Sequence, residues 1–131
     1  DLAGVENDRR KVAVLGQVPG DITSLDIGSR TAEAYRNEIL AAKTVFVNGP
    51  MGVFEQEPSE LGTKAVWQAL ADTDGFTVLG GGDSITATEK YQLASRMGYI
   101  CTGGGALIRF LTGEELPVVK ALRHGAGLCK D

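Results

Sequence analysis

Three short apolar runs each stop at a glycine-bearing turn, and each turn leads into a helical pattern. Thr44–Val47 (TVFV) stops at Asn48-Gly49-Pro50, Phe76–Leu79 (FTVL) stops at Gly80-Gly81-Gly82, and Tyr99–Cys101 stops one residue before Gly103-Gly104-Gly105. Short β-branched and aromatic runs bounded by turn residues read as buried strands. Helical spacing fills the intervals. Ser29 is placed to cap a helix to about Ala42, with Ala34, Ile39 and Leu40 along one side. Ser59 is placed to cap a second, carrying Leu61, Ala65, Val66 and Leu70. Asp83 or Ser84 opens a third, to about Met97. A short helix over about Ala106–Leu111 is broken by Gly113, and Pro117 sits in the first turn of a last helix ending near His124 and Gly125. Strands alternating with helices imply βαβ crossovers and a parallel sheet, so the chain is of the α/β class.

That class places the turns. All strand carboxyl ends of a parallel sheet share one edge, and ligands of open α/β sheets bind outside it. Three turns far apart in sequence are therefore expected to converge on one cleft. Glycine there lets backbone N–H groups approach a ligand, and a helix starting at the same point attracts an anion. Asp83 either caps its helix or holds Mg2+ together with a bound phosphate, because magnesium favours shared oxygen ligands. Other residues have plainer readings beside the functional ones. Asn48 before Gly49-Pro50 suits a turn, Glu55 suits a solvated loop, and Cys101 suits a small core position. His124 complements a helix end, and Lys64 and Arg109 read as surface charges.

Composition narrows the field. Of 131 residues, 43% are hydrophobic and 23% charged, the balance of an ordinary globular domain with a single core. The net charge is −4 and no basic run exists, which sets nucleic-acid binding aside. Cys101 and Cys129 form no CxxC pair and His124 is the lone histidine, so a zinc site is not expected and reduced thiols are. No apolar stretch is long enough to span a bilayer, and the polar start is no secretory signal. Residues 1–10 read as an irregular lead-in, Lys11–Leu15 as a short strand, and Gln17–Ser24, with Pro19 and Gly20, as a turn region. Neither GxxxxGKS/T nor a GxGxxG after a strand is present. From the residues alone the chain is an α/β domain that binds a phosphorylated ligand at its strand ends.

The strings themselves say more. Thr44–Glu55 (TVFVNGPMGVFE), Leu79–Ser84 (LGGGDS) and Thr102–Ala106 (TGGGA) closely resemble signatures of the phosphoglycerate kinases. Leu25–Thr31 (LDIGSRT) and Leu116–Leu122 (LPVVKAL) resemble two further segments of that family, in the same order and spacing. The resemblance implies phosphoryl transfer between 1,3-bisphosphoglycerate and MgADP, giving 3-phosphoglycerate and MgATP, in a cytoplasmic, usually monomeric enzyme. It implies that Asn48, Gly49 and Pro50 lie beside the nucleotide and that Glu55 contacts its ribose. Gly80, Gly81, Gly82, Asp83 and Ser84 match the phosphate-and-magnesium turn, with Asp83 toward the metal. Gly103, Gly104 and Gly105 match the glycines whose amides face the transferring phosphoryl group. Ser84 stands where the family often has threonine, Cys101 where it often has serine, and Leu107 where it often has a small residue.

The resemblance also implies what this stretch does not contain. The phosphoglycerate sits on a basic patch of the family's amino-terminal domain, which has no counterpart here. Residues 1–131 correspond to the carboxyl-terminal portion of the nucleotide-binding domain. The expected fold is thus a three-layer αβα, Rossmann-like parallel sheet present as an incomplete half, with an open strand edge through which the chain associates. Two functions follow: a piece of the kinase, or a non-catalytic module that holds a nucleotide.

Overall fold

The computed structural model describes residues 1–6, 9–14, 16, 17, 20 and 22–128. Leu15, Pro19 and Cys129, read above as strand, turn and free thiol, lie outside the described residues. Two sheets of three strands organise the rest.

The first sheet is antiparallel and was not expected. Strand β1 (Leu2–Glu6) lies between β2 (Arg9–Ala13) and β3 (Ser24–Ile27), with Leu2 opposite Ala13 and Glu6 opposite Arg9. The lead-in read as irregular is therefore a central strand, and the strand expected at Lys11–Leu15 begins two residues earlier. Ala3 and Gly4 carry no alternating side-chain pattern, so β1 is specified by the ladders on its two sides rather than by its own sequence. Glu6 and Lys11 form an ion pair across the hairpin.

The second sheet is parallel, as the glycine-terminated runs require. β4 (Thr44–Val47), β5 (Phe76–Gly80) and β6 (Tyr99–Cys101) lie in that order, with Val47 opposite Leu79 and Gly80 opposite Cys101. Helices α1 (Ser29–Ala41) and α2 (Leu61–Asp72) pack on each other, and α3 (Gly82–Lys90) and α4 (Gly104–Leu111) follow β5 and β6. The core joins Ile39, Val47, Phe54, Val66, Trp67, Leu70, Leu79 and Ala87. Trp67 is wholly buried, and its indole N–H donates to Thr88 Oγ1 at 2.8 Å. Thr88 Oγ1 donates in turn to the Ser84 carbonyl at 2.7 Å. The indole is thus buried with its one donor satisfied.

Alternation along the strands leaves the other face bare. Phe46 lies opposite Val78, which lies opposite Tyr99, and Phe46, Phe76 and Tyr99 are 42%, 54% and 54% exposed. Among the described residues no helix layer covers them, and β4 and β6 each pair on one side only. This is the half-built sandwich anticipated above. Apolar residues of α4 and of α5 (Pro117–Leu128) are also exposed, among them Phe110, Val118 and Leu122. Among the described residues no helix is long and apolar enough to cross a membrane.

Helix ends depart from the local reading. Ser29 and Ser59 do not cap. The Asp1 carboxylate accepts from Thr31 N at 2.9 Å at the start of α1, and the Asp26 carboxylate accepts from Gly62 N at 2.8 Å at the start of α2. α3 stops at Lys90 rather than Met97. Gln92 takes a left-handed φ of 57°, and a 3-10 turn over Ala94–Arg96 lets Leu93 and Met97 pack on the core. α5 runs through Gly125 and Gly127 to Leu128, past the end expected near His124.

Asp26 does more than cap. Its side chain is fully buried, accepting also from Ile27 N at 2.8 Å and from Arg10 Nη1 at 2.7 Å. Arg10 donates further to the carbonyls of Pro58 (3.0 Å) and Ile27 (2.7 Å). One ion pair thereby ties β2 and β3 of the antiparallel sheet to the start of α2. Desolvation offsets much of the attraction in such a pair, but removing one partner strands the other charge and costs about 3–5 kcal/mol. Arg10→Met is expected to lower the urea unfolding free energy by about that amount. Arg10→Met combined with Asp26→Leu should cost less than the sum of the two single changes.

Candidate functional site

Parallel pairing fixes where the three turns go. Val47, Leu79 and Ile100 are in register, so Asn48, Gly81 and Thr102 leave the sheet at its carboxyl edge. The turns touch there. A Cβ on Gly104 would lie 2.6 Å from Gly81 Cα and 3.1 Å from Asn48 Oδ1. A Cβ on Gly80 would lie 2.9 Å from Asn48 Oδ1 and 3.6 Å from Gly104 Cα. Both positions need glycine because the backbones of two turns and the Asn48 carboxamide share one contact shell. Gly81 needs it also for its φ of +93°.

Two helices start from this shell. The N-cap of α3 is Gly81 and that of α4 is Gly103, and neither receives a side-chain capping hydrogen bond. The first-turn N–H groups of both helices therefore have no capping side chain, at the positive ends of two helix dipoles. Gly82 and Gly105 are exposed, and a Cβ on either would meet nothing within 4 Å. Asp83 is exposed in the first turn of α3, where it complements the helix dipole without a capping hydrogen bond. Ser84 behaves differently. Its hydroxyl is buried with no hydrogen-bond partner among the described residues, so it reaches an outside phosphate only by changing rotamer.

Asn48, Gly80, Gly81 and Gly104 are thus brought together, with Gly82, Asp83, Gly103 and Gly105 on the adjoining turns. Gly49 and Pro50 begin the loop that leaves β4, and Glu55 is exposed at its far end. Glu55 shares its neighbourhood with the end of α3 rather than the start. At 1.5 Å per residue, α3 separates Asp83 from Lys90 by about 10 Å. Lys64 and Arg109 are exposed, as their plain readings expected. His124 is exposed too but lies within α5 rather than at its end, and Cys101, expected in the core, is a half-buried free thiol. No group of three metal-ligating side chains occurs among the described residues. A lone carboxylate beside uncapped amides suits Mg2+ that shares its ligands with phosphates, not a cage made wholly of protein.

The loop is held by residues that carry no local signature. Thr63 Oγ1, fully buried, accepts from Met51 N at 3.1 Å and Gly52 N at 3.2 Å. Lys90 Nζ donates to the Phe54 carbonyl at 2.6 Å and pairs with Glu60 at 2.6 Å. Beside it, burial raises the Tyr91 phenol from 10.0 to about 12, helped by the nearby carboxylates of Glu60, Asp26 and Glu55. Sequence reasoning missed Thr63, Lys90 and Tyr91 because these contacts join separate elements. The only local hint is the polar ending of the third helical pattern.

The fold defines an α/β protein with a parallel sheet whose carboxyl edge carries two closely packed helix starts. A sequence model of the phosphoglycerate kinases matches residues 2–114. Phosphoglycerate kinase of Desulfovibrio desulfuricans is 53% identical over 112 residues, and that of Pyrococcus abyssi 47% identical over 121. Those alignments take in 86% and 90% of this chain but 29% of each relative. The phosphoglycerate kinase structures from Coxiella burnetii and Pyrococcus horikoshii superpose with TM-scores of 0.83 and 0.82, at 34% and 42% identity. They cover 91% and 93% of this chain and 32% and 31% of theirs. The chain belongs to the phosphoglycerate kinase family, and it spans about three-tenths of the length of the relatives it matches.

Gly104→Ala should force the Gly81 and Asn48 turns apart and cost about 1–3 kcal/mol in urea unfolding. Gly105→Ala, which points into open space, should stay within about 0.5 kcal/mol. Because its folded-state pKa is raised, Tyr91 contributes stability that is complete below pH 10 and falls as pH rises from 10 to about 12. Unfolding free energies measured across that window should fall less steeply for Tyr91→Phe.

Proposed function

We propose that this chain supplies part of the MgADP/MgATP site for phosphoryl transfer between 1,3-bisphosphoglycerate and ADP, as the carboxyl-terminal portion of a nucleotide-binding domain. The observation that carries the reading is the shared contact shell of Asn48, Gly81 and Gly104 beneath two uncapped helix starts. Phosphoryl transfer depends mainly on positioning and on stabilising charge spread over the phosphoryl oxygens. Amides of Gly81, Gly82 and Asp83 receive the nucleotide phosphates. Those of Gly103, Gly104 and Gly105 face the transferring group, held at fixed distance by the Gly81–Gly104 contact. Asn48, Gly49 and Pro50 line the nucleotide, and Glu55 accepts from its ribose hydroxyls. Asp83 would hold Mg2+, which would supply charge neutralisation at the phosphates. The phosphoglycerate-binding groups lie outside these residues, and the setting is cytoplasmic.

A second reading, a module that binds nucleotide without turnover, is favoured by the buried cluster around Trp67 on the packed side of the parallel sheet. A coupled assay with ATP and 3-phosphoglycerate tests what the two readings share. The chain by itself is expected to show no turnover on either reading, and robust turnover would show that it holds a phosphoglycerate site of its own. Calorimetric titration should show saturable MgADP binding, weakened about tenfold or more by Asp83→Ala, since a lost charged contact is worth about 1.5–3 kcal/mol. Absence of heat at millimolar MgADP would count against the nucleotide site.

A further inference from the structure

Lys90 has a connection that the chemistry of the three turns does not use. Its ammonium donates to the Phe54 carbonyl at 2.6 Å, pairs with Glu60 Oε2 at 2.6 Å, and lies 5.9 Å from the ring centres of both Phe54 and Tyr91. A lysine in the last turn of a helix ordinarily serves that helix's own carbonyls. This one instead reaches a carbonyl 36 residues earlier in the chain.

That carbonyl belongs to the peptide linking Phe54 to Glu55. The peptide is planar, so holding its oxygen holds the plane, and with it the direction in which the Glu55 Cα departs. Neighbouring bonds complete the grip. Val53 N donates to the Leu25 carbonyl at 2.9 Å, Phe54 N to that of Gly52 at 2.8 Å, and Gln56 N to that of Val53 at 3.0 Å. The Phe54 side chain is buried in the core, while Glu55 is exposed. An exposed carboxylate thus projects from a backbone pinned by a cation on the helix whose other end carries Asp83.

We propose that Lys90 is a positioning residue for Glu55, and that α3 sets the spacing between the carboxylate at the ribose end and the amides at the phosphate end. The proposal rests on the reading of Glu55 as the ribose-facing acid. It assigns Lys90 to recognition of the nucleoside, not of the phosphates.

Lys90→Met keeps the apolar stem and removes the donor. It is expected to raise the Kd for MgADP about tenfold, the effect of one lost charge-assisted contact, while leaving magnesium tripolyphosphate, which lacks a ribose, within about twofold. Combining it with Glu55→Ala should weaken MgADP no further than the worse single change, because the two act as one unit. Exchange of the Phe54 and Gln56 amides should speed up about tenfold, with the α2 and β5 amides unchanged. Equal losses for MgADP and tripolyphosphate, or additive effects of the two substitutions, would mean general loosening and overturn the proposal. If the unsubstituted chain binds no MgADP, the nucleotide reading fails on its own account. The exchange rates then decide for Lys90, and unchanged Phe54 and Gln56 amides overturn it.

Discussion

Parallel pairing of β4, β5 and β6 is the constraint on which the rest depends. Strands of one direction in register send their following turns to the same edge, whatever their separation in sequence. Asn48, Gly81 and Gly104 are more than 50 residues apart at the extremes, yet they share a single contact shell. Once there, side-chain size decides the outcome. The Gly81 and Gly104 backbones approach too closely for a Cβ between them. An acidic protein can offer a phosphate site in this way, because helix starts provide the positive potential that lysines provide elsewhere.

A second constraint lies below the site. The antiparallel sheet shares little of the apolar core, and its firmest connection to α2 is polar. Buried Asp26 accepts from Arg10, Ile27 N and Gly62 N, so one carboxylate balances a cation, a strand end and a helix start. Such a pair adds little net stability over a packed apolar substitute, but it penalises every arrangement in which the partners do not meet. The Val53 N bond to Leu25 and the Thr63 hydroxyl carry this placement into the loop after β4. That loop therefore has its position defined from both sheets.

Helix α3 links the two ends of the proposed nucleotide site. It begins at the uncapped Gly81 turn and ends at the Lys90 contact with Phe54, and the Trp67–Thr88–Ser84 hydrogen-bond chain anchors its middle to α2. Against this packed side stands the bare face of Phe46, Phe76 and Tyr99. A parallel sheet is ordinarily covered on both faces, so this surface is the part of the fold that most resembles an unfinished interior.

The amino-acid sequence by itself determined the class of fold, the glycine turns and their order along the chain. These are local properties: β-branched runs stop at residues that accept unusual backbone angles, and helical spacing resumes after them. It determined the family too, through strings long enough to be specific. Tertiary structure alone decided β1, the caps supplied by Asp1 and Asp26, the early end of α3 at Lys90, and the grip of Thr63 and Lys90 on the loop. The caps and the grips on the loop join partners from 11 to 36 residues apart, and β1 is held between a neighbouring strand and the more distant β3. A hydrogen-bonding group chooses such a partner only after packing has brought the two together, and no spacing rule records that choice in advance.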